Sequence, residues 1–478
     1  MKDQAFNPYL PGWEYIPDGE PHVFGDRVYV YGSHDRFNGE RFCELNYVCW
    51  SAPVTDLGDW RFEGEIYDKH RDPICTGDDR LLFAPDVAQG SDGRYYLYYA
   101  FDFAGIISVA VCDTPAGTYQ FCGHVRWPDG QLLGQRRGDP FQFDPGLLAD
   151  DDGKIYLYTG FCMKDSPFPK AEHLCGDKGA MAVELGPDML TVRSEPQFIV
   201  PCYANGEDTD FEGHEFFEAS SMRKIGGRYY FIYSSVNSHE LCYAVGDSAM
   251  GGFRYGGTLV SNGDIFLDGT GEEEADNYTG NNHGSLVETG GQLYVFYHRH
   301  TNRSQFSRQG CAERVAMLPD GSIPQVEITS CGLNGGPLEG RGVYEARIAC
   351  NLMSGLGAAP YEMGRAIGPE HPYFTQEDTP DGRPVQYIAN LTRDSVAGFK
   401  YFAFDHVRSI SVWLRGSGEG QLMVSTRIDD PAAIRIPVRP TEEWTKYTAA
   451  YAAPDGTAQL SFIFSGKGAV DFLKFELE

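Results

Sequence analysis

The chain has 478 residues, more than one ordinary core accommodates, so two or three domains are expected. Aromatics make up 14% of it, with 29 Tyr and 30 Phe, and together with 57 Gly and 28 Pro they form a strand-and-turn vocabulary. The net charge of −29, from 39 basic and 68 acidic side chains, repels phosphate backbones and anionic lipid and so argues against nucleic-acid and membrane partners.

From the N-terminus onward, Met1 to Phe6 lack the apolar run of a secretion signal, and no apolar stretch is long enough to span a bilayer. The twelve cysteines are scattered without a close CxxC pair. Reduced thiols in a cytoplasmic protein are the expectation, or an exported protein if a leader has been trimmed, with neither disulfides nor zinc.

Five segments then repeat one pattern, a tight turn followed by an aromatic-rich strand. They are 27–33, 94–100, 154–160, 228–234 and 292–298, and they align a tyrosine at 29, 96, 156, 230 and 294, in steps of 67, 60, 74 and 64 residues. Gly-Asp, Asp-Gly or Gly-Gly pairs precede each strand, as hairpin turns demand. One or two further β-like runs follow each hairpin, such as 106–111, and helical periodicity is almost absent. Each unit reads as a three- or four-stranded antiparallel blade, and five blades close radially into a propeller.

Ten to twelve residues before the aligned tyrosine stands a polar or charged residue: Asp18, Asp86, Asp144, Glu218 and His283. In a propeller the innermost strands run along the axis, so equivalent positions gather at one mouth of the channel. Four carboxylates and an imidazole in one pocket push one another's pKa values apart. Glycoside hydrolysis needs such a set, with one carboxylic acid to protonate the leaving oxygen and one carboxylate to activate water or attack the sugar.

These motifs, read in order, resemble glycoside hydrolase family 43. Ile16-Pro17-Asp18 with Val28 to Ser33, Phe83-Ala84-Pro85-Asp86-Val87, Phe143-Asp144-Pro145, Glu218-Ala219-Ser220-Ser221 and Asn282-His283-Gly284-Ser285 carry the resemblance over residues 7–330. It implies an inverting enzyme in which Asp18 is the general base, Glu218 the general acid and Asp144 the group that tunes and holds the acid. It also implies an axial histidine that helps bind a calcium ion or a structural water in the channel, which His283 matches, and no cofactor required for catalysis. An arginine placed like Arg308 would pair with a channel carboxylate. Asp18 departs from the family's usual Asp-Pro, being followed by Gly19-Glu20-Pro21. Glu20 faces the same side of an extended strand and competes for the base, or else binds sugar hydroxyls. Trp13, Phe83, Asp86, Glu20 and Arg308 are the candidate substrate-binding residues. The acidic run 206–215 reads as a solvated loop, with Glu215 a weaker rival acid, and Asp150–Asp152 reads as a hairpin tip.

The repeat ends near residue 331. Residues 332–384, rich in Gly, Pro and charge, read as a connecting segment packed on the domains. From 385 to 478 alternation returns, as in 409–415, 420–426, 458–464 and 470–475, and reads as a jelly-roll-like β-sandwich. This region resembles family 6 carbohydrate-binding modules, with Trp413 and Trp444 read as core rather than sugar platforms. The expected protein is therefore all-β, a five-bladed β-propeller (1–331) followed by a sandwich. The expected activity is exo-acting release of pentose from plant-type oligo- or polysaccharides, as an α-L-arabinofuranosidase or alternatively a β-D-xylosidase. A non-catalytic glycan-binding propeller is the third reading. A retaining fructan-type enzyme lacks its Asn-Asp-Pro-Asn-like motif here. The oligomeric state is left open.

Overall fold

A computed structural model describes residues 4–164, 176–360, 362–380, 382–427 and 433–478. The described residues are all-β, with only short 3-10 turns among the strands. Four blades are four-stranded antiparallel sheets: Glu20–Phe24 to Arg61–Tyr67, Leu82–Gln89 to Gln120–His124, Gly146–Ala149 to Gln197–Val200, and Phe216–Ile225 to Arg254–Ser261. The fifth has three strands, Ser285–Thr289, Gln292–His300 and Arg308–Val315. The first strand of each blade contacts the first strands of its two neighbours, which closes the ring.

The hairpins that begin the blades follow from their turn residues. Gly226-Gly227 and Gly290-Gly291 both hold positive φ at the two central positions, which is the geometry a two-residue turn needs and only glycine adopts freely. Alternating aromatic residues on the second strands then bury between blades. Tyr31, Tyr98 and Tyr158 are fully buried and each donates its hydroxyl to a backbone carbonyl of the next blade, Pro115 (2.8 Å), Met189 and Ala249 (3.0 Å). The ring supplies apolar area, and the satisfied hydroxyl removes the cost of burying a phenol.

The N-terminal segment closes the propeller in place of a fourth strand on blade five. Tyr9 N–H donates to Gly310 O (3.3 Å), and the Asn7 amide exchanges hydrogen bonds with the backbone of Ala312 (3.0 and 2.9 Å).

Two facing sheets make the C-terminal sandwich around Phe399, Phe402, Phe462, Phe472 and Phe475. The segment expected to connect the domains contributes strands to both sheets: Leu338–Glu339 and Asn351–Met353 pair with Val396–Phe404, Gly342–Glu345 pairs with Val470–Leu477, and Tyr373–Glu377 pairs with Val385–Leu391. Its Gly, Pro and charge hid short strands whose partners lie far along the chain. Trp413 and Trp444 also differ from expectation, for neither is in the core. Both are half-buried on an outer face, Trp413 under the ammonium groups of Lys446 and Lys474 (4.8 and 4.7 Å) and Trp444 under the Arg415 guanidinium (4.2 Å).

Candidate active site

The strand registers sort the channel residues into two layers. Glu20, Asp86, Gly146, Ser221 and Ser285 each pair with the residue two positions beyond the aligned tyrosine, namely Tyr31, Tyr98, Tyr158, Ile232 and Phe296. They form one rung of the ring. Asp18, Asp144, Glu218 and His283 stand one step earlier, at the mouth. Blade two brings Ala84 and Pro85 there, at a register shift between Phe83 and Asp86. The mouth therefore holds four of the five expected groups. Asp86 lies a rung deeper, because offsets of ten and twelve residues fall on different rungs of a strand with period two.

Local backbone geometry aims the mouth residues. Asp18 (φ 57°) and Asp144 (φ 44°) enter in the left-handed region immediately before their inner strands. Aspartate tolerates that region better than most side chains, at a cost of about 1 kcal/mol. Glu218 leaves its strand at a bulge, with the register shifting on both sides of it and Ala219 left-handed at φ 68°. Ala219 N–H then donates to Asp144 Oδ2 (3.3 Å), so the bulge that projects Glu218 also ties it to Asp144.

Asp18 and Glu218 sit in opposite electrostatic surroundings. Burial alone would raise the Asp18 carboxyl, but the Arg308 guanidinium, whose Nη1 donates to its Oδ1 (2.9 Å), holds it well below the usual carboxylate range; His298 and His283 Nδ1 stand 3.3 and 4.0 Å away. Arg308, 2% exposed, is fixed by two parallel bonds to Asp35 (2.9 and 3.1 Å) and by stacking on Phe42 (4.6 Å). Glu218 is half-buried, and among the described residues nothing donates to its carboxyl. Burial and the nearby Asp18 charge raise it to about 8. Burial, Glu218 and Asp18 likewise push Asp144 upward. His283 Nδ1 lies between Asp18 and Asp144, 4.0 and 3.7 Å from their oxygens, and burial lowers the imidazole to about 4, so it is neutral at pH 7. His298 is also lowered by burial. Its Nε2–H donates to Asn281 O (2.8 Å), leaving Nδ1 to accept from Asp18 N–H (3.3 Å).

The deeper rung is bonded within itself. Asp86 accepts from Val87 N–H (2.6 Å) and Leu147 N–H (2.7 Å) and lies 2.6 Å from His22 Nε2. Glu20 is 1% exposed, and its Oε2 accepts from Arg223 (2.7 Å) and Ser221 (3.1 Å). Burial raises it to about 8 against the opposing pull of Arg223. Glu20 and Asp86 thus stand beneath the mouth as parts of the ring. Trp13 lies apart from both rungs, packed on Trp50 (5.9 Å), itself packed on Phe62 (5.2 Å), over the outer strands of blade one. Phe83 belongs to an aromatic wall, Phe83–Phe143–Phe161–Phe217, with ring spacings of 5.0, 5.3 and 5.4 Å, that ends beside Glu218. The 206–215 run is a series of largely exposed turns, and Asp150 is a hairpin tip held by Lys224 (2.5 Å) and Tyr229 (2.6 Å).

Asp35, Phe42, His298 and Arg223 were not singled out in the sequence. His298 closes the fifth repeat where other repeats end in small residues, which is a signal. Asp35 and Phe42 lie on a hairpin outside the repeat and carry none.

Comparison with known proteins agrees with this geometry. A family model described as glycosyl hydrolases family 43 matches residues 15–323. A xylosidase/arabinosidase of Thermoclostridium stercorarium is 51% identical over 479 residues, covering 100% of this chain and 99% of that protein. A beta-xylosidase of Xylanibacter ruminicola is 30% identical, over 60% of this chain and 88% of the relative. Among solved structures, a family 43 β-xylosidase/α-arabinofuranosidase from a compost microbial metagenome, in complex with xylotriose and calcium-free, is 28% identical at a TM-score of 0.51, covering 66% of this chain and 96% of that one. A family 43 arabinoxylan arabinofuranohydrolase of Bacillus subtilis shares the fold along 98% of this chain and 97% of its own, at 21% identity and a TM-score of 0.52.

Proposed function

From the premise that the chain belongs to glycosyl hydrolases family 43 and is an inverting glycoside hydrolase, we propose that it releases terminal pentose residues from plant-type oligo- and polysaccharides, foremost as an α-L-arabinofuranosidase. The observation that carries the reading is the separation of two carboxylates in one rung: Asp18 held ionised by Arg308, and Glu218 raised to about 8. Asp18 accepts a proton from water as that water attacks the anomeric carbon. Glu218 gives its proton to the departing glycosidic oxygen, and attack opposite the leaving group inverts the anomer. Asp144 positions Glu218 through Ala219, and burial together with their mutual repulsion keeps a proton on the pair. Arg308 acts through Asp18, and Phe83 and Phe42 offer apolar faces at the rim.

A β-D-xylosidase is the second reading, supported by the names of the relatives at 51% and 30% identity. Wild type and Glu218→Gln, assayed on nitrophenyl α-L-arabinofuranoside and β-D-xyloside with the released anomer followed by NMR, test both. Inversion, abolished in the variant, is expected. Retention, or an unimpaired variant, refutes the assignment, and the preferred glycoside decides between the sugars.

A channel calcium is the finer part of this reading. Calcium takes six to eight oxygens. The carboxylate oxygen nearest to serving it, among the described residues, is Glu20 Oε1, buried and without a hydrogen-bond partner. Glu20, His22 and Asp86 offer ligand atoms within 4.8 Å of one another, and Asp86 is already bonded. The partnerless Glu20 oxygen beside Asp86 supports the proposal of a hydrated ion in the channel with a structural role. Chelation is expected to lower the melting temperature while leaving kcat within about twofold; loss of kcat at unchanged stability would contradict that role.

A further inference from the structure

Blade four carries a built site that the hydrolytic machinery does not use. A cavity of about 660 Å3 opens on its flank, lined by His214, Asn237, Tyr255, Thr258, Phe266 and Gln325 among others. Its floor is the His214 ring stacked on Tyr255, at 4.8 Å and 14°, and Phe266 stands edge-on to His214 at 6.0 Å. Behind the floor lies Glu240, fully buried. It accepts from Asn237 (2.9 Å) and Thr258 (2.8 Å) and lies 2.7 Å from His214 Nδ1. Burial opposes its charge, but these bonds, His214 first, lower it to about 2. An ionised carboxylate taken out of water is expensive, and this one holds three lining side chains in fixed orientations.

Phe266 is the second sign. It is 40% exposed, and its backbone is left-handed at φ 71°, a conformation unfavourable for a bulky side chain. The strain is fixed in place: Phe266 N–H donates to Thr270 O (2.9 Å), and Gln325 donates to Ile265 O (2.8 Å). An aromatic ring held exposed over a preoriented polar wall is the arrangement that binds sugar rings, stacking on their C–H faces and hydrogen-bonding their hydroxyls.

The site is coupled in space to the mouth. Ser238, next to Asn237, accepts through its carbonyl from Asn282 N–H (2.9 Å), the neighbour of His283. A second cavity, of about 620 Å3, shares Asn237 and runs to Gly280, three residues before His283. We propose that the Tyr255–His214–Phe266 cavity is a non-catalytic binding site for the neutral backbone of the enzyme's own polysaccharide substrate, held one hairpin away from the catalytic mouth. The proposal rests on the reading of the chain as a hydrolase of pentose polymers.

Phe266→Ala and Phe266→Gly test it, by native gel electrophoresis in soluble arabinoxylan and in linear arabinan, with kcat/KM on nitrophenyl pentosides and melting temperatures measured alongside. Wild type is expected to be retarded by one polymer, and both variants to lose most of that retardation. Activity on nitrophenyl glycosides should stay within twofold. Glycine relieves the left-handed strain, so Phe266→Gly should melt no lower than Phe266→Ala, which keeps a folding defect separable from lost binding. Wild type unretarded by either polymer, or variants retarded as strongly as wild type, overturns the site. If nitrophenyl pentosides are not cleaved at all, the hydrolytic reading fails by itself, while the loss of retardation in the variants still reads the site.

Discussion

Asp18 and Glu20 are two residues apart and face the same way, and a choice between them needs depth, which spacing does not contain. The structure supplies the depth: Asp18 stands at the mouth against Arg308, and Glu20 one rung below against Arg223, which is what favours the proposal of Asp18 as base. Asp18→Asn removes the proposed water-activating base and is expected to cut kcat by about 10²–10⁴. Glu20→Gln keeps a hydrogen-bonding partner for Arg223 and should retain most activity; a Glu20→Gln loss as deep as that of Asp18→Asn would exchange the two roles. The same residues set the pH profile. Asp18 stays ionised through the accessible acid range, so the alkaline limb of kcat/KM should follow Glu218, near pH 8. Asp144→Asn removes a repelling carboxylate from the coupled pair, so the limb should move to lower pH while kcat falls. A limb that stays in place or moves up would mean that Asp144 does not bear on the acid's proton.

At the scale of elements, the hairpins were legible because turn and strand chemistry is local. Gly-Gly and Asp-Gly pairs followed by alternating aromatics can hardly fold otherwise, and their recurrence shows the ring. The convergence of Asp18, Asp144 and Glu218 at the mouth was legible for the same reason, since equivalent positions in a repeat must converge on the axis. Rung assignment was not legible: the hairpin loop is residues 25–26 in blade one and 90–94 in blade two, so the rung of Glu20 and Asp86 stands at a different offset from the aligned tyrosine in each blade. That is why spacing alone grouped Asp86 with Asp18. Nor was the Arg308–Asp35 pair, whose members are 273 positions apart and meet only when blade five closes on blade one. Trp13 stands apart from the channel for a related reason. Proximity in sequence to Asp18 says nothing about which side of blade one the chain follows, and it follows the outside, onto Trp50.

At the scale of the whole molecule, a buried cation of the sandwich meets three carboxylates of the propeller, beside other contacts such as Arg299 donating to Ala349 O (3.1 Å). Lys400 Nζ, on a sandwich strand, lies 3.3 Å from Asp264, 3.7 Å from Asp276 and 3.0 Å from Glu327 in the propeller's last connections. Tyr401 beside it donates to both oxygens of Glu327 (3.0 and 2.8 Å). One positive charge thus serves three carboxylates. Burial raises Asp264 to about 6 and raises Asp276 as well, even against the pull of Lys400. A carboxylate raised on folding contributes stability that is full below its unfolded pKa and is lost as pH climbs through the folded value. For Asp264 that window runs from the ordinary aspartate range, near 4, to about 6, so the interface should hold more tightly at pH 5 than at pH 8. Lys400→Met removes the cation and leaves the carboxylates facing one another. Breaking a buried pair in this way costs about 3–5 kcal/mol. The loss should be smaller at pH 5, where protonation of Asp264 and Asp276 relieves the repulsion, and larger at pH 8. Melting curves of wild type and variant at the two pH values decide it. An equal loss at both would show that Lys400 stabilises by packing alone, and a variant as stable as wild type would show that the two domains are held by their remaining contacts.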